Sequence, residues 1–312
     1  MREPGRILVT PRSLTREPHP AVDLLREAGY EVVSAPAGRQ PSEEELLDLL
    51  PGCVGYLAGV EPITARVLAA AEGLLAISRN GVGTDNIDRE AAEVAGIRIL
   101  TTPGANAEGV AELALGLILA LVRSIPAGDR AIKDGEWSRR IGAELQGATL
   151  GVVGCGNIGR RVALMALGIG MHVLGYDPVP ADGFQPAGFE WAELDELLER
   201  SLVVTLHSPA VGRPIVDAAA LTRMQTGSYL VNTARSSLVE TGAVLEALDG
   251  GRLAGYAVDA YDEEPPVDRR LVEHVGVVAT PHVGGYTTES VSRAALEAAR
   301  NLLSVLQEEH DG

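Results

Sequence analysis

Short apolar or β-branched runs alternate with amphipathic stretches along almost the whole chain. In the first third, the runs at 6–10, 31–34, 54–58, 74–78 and 97–100 read as strands. The stretches at 22–28, 43–50, 65–71 and 89–95 carry apolar residues at helical spacing and read as helices. Ser42 with Glu45 is a capping box, whose reciprocal side chain-to-backbone bonds set the start of the second helix. An apolar helix at 107–123 then leads into a polar segment, 126–147, that breaks the rhythm. A second series follows, with strands at 149–154, 172–176, 202–206, 229–232, 255–258 and 277–279. Its helices fall at 158–167, 194–199, 218–222 and 243–249, and a last helix spans 288–307. Strands this apolar, separated by helices, must be covered on both faces. The pattern therefore predicts an α/β chain of two doubly wound parallel-sheet units joined by long helices.

Length agrees: 312 residues is enough for two domains. Charge narrows the partners, because 43 acidic residues against 26 basic ones give a net charge of −17. A nucleic acid or an anionic membrane needs a basic face, so neither is expected. Lys133 is the single lysine. A pyridoxal Schiff base or a lysine-bearing phosphate loop would have to use it, and its Ala131-Ile132-Lys133-Asp134-Gly135 setting suits neither. Cys53 and Cys155 are too few for a disulfide framework or a zinc cluster, and no metal site is expected. Met1-Arg2-Glu3-Pro4 opens no apolar leader. The longest apolar run, 113–122, is far short of the ~20 residues that span a bilayer, so the expectation is a soluble, cytoplasmic protein.

The first candidate site is Gly154-Cys155-Gly156-Asn157-Ile158-Gly159, which follows a strand and opens a helix. Such a turn uses its first glycine for tight geometry, its second for approach of a pyrophosphate and its third for helix–strand packing. The phosphates then rest on the helix N-terminus, where free N–H groups and the dipole favour negative charge. Asp177 ends the next strand 21 residues after Gly156, the spacing at which an acid binds the adenosine ribose and repels a 2′-phosphate. The pattern points to NAD; the other reading of Asp177 is a turn residue before Pro178. Cys155 is the variable position of the turn and is expected to pack.

Arg235, Glu264 and His282 fall at or beyond strand ends in the second half, where open α/β sheets bind ligands. Together they suit reduction of a 2-oxo acid: a guanidinium binds a carboxylate in two-pronged fashion, and a histidine partnered by a carboxylate supplies a proton. By spacing alone each has a plain reading too. His282 could be a turn histidine, Glu264 one of several loop acids and Arg235 a surface cation.

These motifs, with others, resemble the D-isomer-specific 2-hydroxyacid dehydrogenases, most of all their short phosphoglycerate dehydrogenase-like members. The resemblance runs through 79–88 (Arg-Asn-Gly-Val-Gly-Thr-Asp-Asn-Ile-Asp), Asn106 with Val110-Ala111-Glu112, and the Gly154–Gly159 turn. It continues through His207-Ser208-Pro209, Asn232-Thr233-Ala234-Arg235, Asp259 with Glu264-Pro265, and Pro281-His282-Val283-Gly284-Gly285. It implies a catalytic triad of Arg235, Glu264 and His282, with His282 as acid/base and Glu264 its orienting partner. It places NAD on Gly154, Gly156, Asn157, Ile158 and Gly159, with the adenosine ribose on Asp177 and the nicotinamide carboxamide on Asp259. His207, Pro209, Thr233 and Ala234 line the same cofactor, together with Arg235, His282 and Gly284. The substrate, a 2-oxo or 2-hydroxy acid, falls to Arg79, Asn80, Val82, Gly83 and Asn106 with Arg235 and His282.

The resemblance also revises the division into consecutive halves. It implies a flavodoxin-like substrate domain of 1–102 plus 283–312, and a Rossmann cofactor domain of 103–282. The segment 126–147 then resembles an arm that wraps a second subunit, implying a homodimer. Departures touch the substrate: Ser236-Ser237 stand where Gly-Gly is usual, Tyr261 where Phe is common, and no basic residue lies near 58–60. The expected reaction is hydride transfer between NAD(H) and a 2-oxo acid/D-2-hydroxy acid pair, with 3-phosphoglycerate among the candidates. The alternatives are a related dehydrogenase of another donor such as phosphite, and a non-catalytic NAD-sensing protein resembling the corepressors of this fold.

Overall fold

The computed structural model describes residues 5–311; Met1–Pro4, on which the reading of no leader rests, and Gly312 lie outside the described residues. The chain divides into two compact units. One runs to Asn106 and takes the chain up again at Thr287; the other is Ala107–Tyr286.

The first unit is built on five parallel strands, β1 (Arg6–Val9), β2 (Glu31–Ser34), β3 (Cys53–Ala58), β4 (Ala76–Arg79) and β5 (Arg98–Leu100). Their spatial order is β2-β1-β3-β4-β5. One face buries Leu8, Tyr56 and Ile77 against Leu46, Val67 and Ala92 of the helices that follow β2, β3 and β4. The other buries Ile7 and Leu57 under the final helix, Thr288–Asp311, whose Ala295, Ala298, Ala299 and Leu302 form its apolar stripe. Gly55 explains the close packing there, since a Cβ on it would meet Leu306 Cδ1 at 3.1 Å and Leu302 Cδ2 at 3.2 Å. The capping box is present as read: Ser42 and Glu45 bond reciprocally at the start of Glu43–Leu49.

The second unit holds seven parallel strands, β6 (Thr149–Val153), β7 (His172–Tyr176), β8 (Phe189–Trp191), β9 (Val203–Leu206), β10 (Ser228–Asn232), β11 (Leu253–Val258) and β12 (Val277–Ala279). They lie in the order β12-β11-β10-β9-β6-β7-β8. Helices Ala107–Val122 and Asn157–Gly168 cover one face, packing Ala114, Ile118 and Val162 on Val152, Val203 and Val231. The first of these is apolar on nearly every side, as a helix enclosed by a core requires. Leu197, Leu221, Met224 and Val244 cover the other face.

Four elements escape the pattern. The segment after residue 123 begins with a helix, Ile125–Lys133, where a polar break is predicted. Pro126 lies in its first turn, where a missing N–H costs nothing, so it starts this helix instead of breaking it. Strand β8 is three residues long, too short for a period to show. It exists because Phe189 lies over Gly175 of β7, where a Cβ would come within 2.4 Å of the ring. The rings of Phe184 and Trp191 pack edge-on against it, each at 5.0 Å. The short helices Arg12–Arg16 and Arg270–Glu273 also lie outside the predicted set.

In both sheets the strand order reverses once, between β1 and β3 in the first and between β6 and β9 in the second. A crevice opens beyond the carboxyl ends of the strands at such a point.

Candidate active site

The glycine turn sits at the reversal of the seven-stranded sheet, and each glycine meets a different constraint. Gly154 has φ +90°, and a Cβ there would lie 2.6 Å from Ser208 N in the loop after β9. Gly159 is closed by the turn itself, since its Cβ would lie 1.9 Å from Gly154 O. A Cβ on Gly156 would meet nothing within 4 Å. Packing therefore demands the first and third glycines, whereas the second faces space. Gly156 also caps Asn157–Gly168 without any side-chain bond, which leaves the N–H groups of that helix, with Ile158 in its first turn, to an anion.

Asp177, just past β7, reaches back to this turn. Its Oδ2 accepts from Cys155 N at 2.9 Å and its Oδ1 from Val179 N at 3.0 Å. The acid thus braces the turn as well as ending the strand. Burial, with the Asp177 charge beside it, pushes the Cys155 thiol up to about 12, so it packs as a neutral side chain. His207 follows β9, with Nε2 2.9 Å from Thr205 Oγ1. Burial drives it from its ordinary 6.5 down to about 3, so it is a neutral imidazole. Its Nδ1 and the Thr233 hydroxyl, both on the predicted cofactor side, have no hydrogen-bond partner in the protein. Pro209 is exposed in the same loop, and Ala234 N is bonded to Asn232 Oδ1 at 3.0 Å.

The strongest convergence is beyond β11 and β12. His282 Nδ1 lies 2.7 Å from Glu264 Oε1, with both side chains about half exposed. His282 holds φ +51°, left-handed backbone that costs a branched or bulky L-residue about 1–2 kcal/mol. Asp259 holds it there. That carboxylate is 1% exposed and is bound by its Oδ1 to Thr280 Oγ1 at 2.6 Å and Val283 N at 2.8 Å. Its Oδ2 accepts from Gly284 N at 2.8 Å. The resemblance gives Asp259 to the nicotinamide; the structure shows both of its oxygens clamping the His282 loop. Tyr261 closes the other side, its hydroxyl donating to Thr280 O at 2.8 Å. Burial, and then the charges of Asp259 and Glu264, push that phenol up to about 12 and keep it a donor.

Arg235 stands after β10 in a turn shaped by buried Asn232, whose Nδ2 donates to Arg235 O at 2.8 Å. The roles of Thr280 and Tyr261 escape sequence reading because the sheet brings their partners, Asp259 Oδ1 and Thr280 O, from 21 and 19 residues away, while Asn232 acts locally on its own turn. The only sequence signal is their place at or just beyond strand ends.

The remaining predicted residues lie in the first unit, beyond β4. Arg79 bonds the carbonyl of Asn80, and Asn80 N donates to Ala58 O at 2.9 Å. Gly81 has φ +146°, and its carbonyl accepts from Thr102 N at 3.1 Å. Val82 and Gly83 continue an exposed to half-exposed loop, and Asn106 ends the first of the unit's two segments. Among the described residues, no group of three His, Cys, Asp or Glu side chains is placed to hold a metal ion. No single helix among them is long and apolar enough to cross a membrane.

Residues 115–284 match the family described as D-isomer specific 2-hydroxyacid dehydrogenase, NAD binding domain. The chain is 37% identical over 290 residues to D-3-phosphoglycerate dehydrogenase of Homo sapiens, covering 91% of this chain and 54% of that protein. The chain thus spans about half the length of such curated relatives. It is 37% identical over 272 residues to hydroxypyruvate reductase of Thermotoga maritima, covering 85% of this chain and 88% of that one. Its fold is similar to that of the cofactor (NAD+)-bound 3-phosphoglycerate dehydrogenase of Entamoeba histolytica. That similarity has a TM-score of 0.80 and 27% identity, over 97% of this chain and 96% of that one.

Proposed function

Because the chain belongs to the D-isomer specific 2-hydroxyacid dehydrogenase family, we propose that it interconverts a small 2-oxo acid and the corresponding D-2-hydroxy acid with NAD as cofactor. The observation that carries this reading is the His282–Glu264 pair, held at 2.7 Å on a backbone that Asp259 keeps left-handed. Glu264 engages Nδ1, which leaves Nε2 as the atom that gives a proton to the substrate's carbonyl oxygen, or takes it back in the reverse direction. Arg235 is assigned to the substrate carboxylate, whose two oxygens match the planar guanidinium fork. NAD, when bound, supplies or accepts the hydride. Gly154, Gly156 and Gly159, with the free N–H groups after Gly156, fit its pyrophosphate, and Asp177 fits its ribose. Arg79, Asn80, Val82, Gly83 and Asn106 are assigned to the substrate, by their likeness to the family pattern.

The test is a panel of 2-oxo acids, including glyoxylate, pyruvate, hydroxypyruvate and phosphohydroxypyruvate, followed by NADH absorbance. Turnover of at least one is expected. Tight NADH binding with no turnover of any would overturn the reading in favour of a nucleotide-sensing protein.

A homodimer in the cytoplasm, without nucleic acid or membrane, completes the proposal. The support for the dimer is the stretch from residue 125 to 141, where Trp137 is 81% exposed and Ile141 fully so. Ile125 and Ile132 stand out beside them, an apolar exposure that a partner surface would cover. Light scattering should give twice the mass of one chain, and Trp137→Glu with Ile141→Glu should give monomers.

A further inference from the structure

One buried acid has no part in the chemistry above. Glu61 is 1% exposed and lies in the loop after β3, at the point where the strand order of the five-stranded sheet reverses. Its Oε1 accepts from the hydroxyl of Thr10, which follows β1, and from Tyr56 Oη of β3 at 2.7 Å. The same oxygen accepts from Gly59 N at 2.8 Å, and Gly59 N also reaches Thr10 Oγ1 at 3.0 Å. A hydroxyl and a backbone N–H at a switch point are the donors with which folds of this strand order bind anions. Here the chain's own carboxylate takes them. Gly59 is what admits it, because a Cβ there would sit 2.7 Å from Glu61 Oε2 and 3.3 Å from Pro11 Cα.

The braced loop carries the loop after β4. Ala58 O accepts from Asn80 N at 2.9 Å, and Glu61 O accepts from Asn86 Nδ2 at 2.7 Å. Ile63 N donates to Asn86 O at 2.7 Å, and Asp88 N to Ile63 O at 2.9 Å. Residues 80–88 therefore rest on residues 58–63 at both ends, and 58–63 rest on the Glu61 carboxylate.

We propose that Glu61 is a positioning residue, a built-in anion that fills the β1/β3 crevice and through the 58–63 loop sets the shape of the 79–86 loop that binds substrate. The inference rests on the proposed function only for the words "that binds substrate"; the brace itself is testable without turnover. Removing the carboxylate leaves Tyr56 Oη without its acceptor in a buried site, and leaves Gly59 N and Thr10 with only each other and the longer 3.4 Å contact to Leu57 O, so the loop must move to recover the lost bonds.

The test compares the full chain with Glu61→Ala, Glu61→Gln and Gly59→Ala by hydrogen–deuterium exchange, NADH titration and steady-state kinetics. Exchange across 79–88 should rise about tenfold in Glu61→Ala, with the glycine turn at 154–159 unchanged. The KM for the 2-oxo acid should rise about tenfold, while NADH affinity and kcat stay within about twofold. Glu61→Gln, which keeps one acceptor oxygen, should fall between, and Gly59→Ala should follow Glu61→Ala, because its methyl displaces the carboxylate. Unchanged exchange across 79–88 in both Glu61→Ala and Gly59→Ala overturns the proposal. So does a loss of NADH affinity as large as the change in KM, since the effect would then be global. If exchange rises as expected but no variant, nor the parent chain, turns over any 2-oxo acid, the brace stands and the functional reading falls.

Discussion

The two sheets solve the same topological problem in opposite ways. Each reverses its strand order once and so makes a crevice at its carboxyl edge. In the seven-stranded sheet the crevice is lined by glycine: Gly156 has space where a side chain would be, and the helix behind it offers uncapped N–H groups. In the five-stranded sheet the equivalent place is taken by Glu61, with Thr10, Tyr56 and Gly59 as donors. Topology tells where a ligand can sit, but side chains at that point decide whether the place is left to a ligand or filled by the protein.

The sharpest way to break the comparison is to fill the open crevice. His282→Ala first tests whether the chemistry belongs to the seven-stranded unit: kcat should fall about 10²–10⁴-fold, with NADH binding kept. Asp259→Asn should lower kcat less, by releasing the left-handed turn, and a pre-steady-state burst experiment would show whether the chemical step slows. Gly159→Ala should cost at or above the ~3 kcal/mol upper end for overpacking, because the new methyl meets a backbone oxygen, and its Tm should fall accordingly. Gly156→Ala should keep its Tm and lose NADH affinity instead. A Gly156→Ala protein that binds NADH as well as its parent would show that the open space is not the cofactor's.

Asp177→Ala should lower the preference for NAD over NADP by about tenfold or more, since a like charge no longer faces the 2′-phosphate. It should also cost some stability, because Cys155 N and Val179 N lose their acceptor. Equal kcat/KM for NADH and NADPH in the parent chain would remove Asp177 from cofactor selection.

His207 is the neutral wall of the open crevice. Its folded pKa lies near 3 against an ordinary 6.5, so below pH 6.5 the unfolded chain binds a proton that the folded chain does not. The stability owed to this group is whole above pH 6.5 and falls with pH from there toward 3, by at most about 1.4 kcal/mol per pH unit. Urea unfolding at pH 7 and about pH 4.5 should show a steeper loss for the parent than for His207→Gln; equal slopes would mean that the imidazole is not held neutral.

Local residue types determined much of this protein. The alternation of apolar runs and helical stretches marks eleven of the twelve strands, because strands and helices of that length each carry their own period. Gly154, Gly156, Gly159 and Asp177 are legible as a group because their work is local: one turn, one helix start and one strand end. Arg235, Glu264 and His282 are legible as types and as strand-end positions, but 18 residues separate Glu264 from His282, and only the adjacency of β11 and β12 brings them to 2.7 Å. Strand β8 and helix Ile125–Lys133 were decided by packing and by the harmless placement of a proline in a first turn. Asp259 as a clamp, Tyr261 as a tie and Glu61 as a filler are invisible in the chain order, since each binds at least one group 19 to 51 residues away. Periodicity and turn chemistry are properties of neighbours in sequence; a buried carboxylate finds its donors only when the sheet has put separate strand ends side by side.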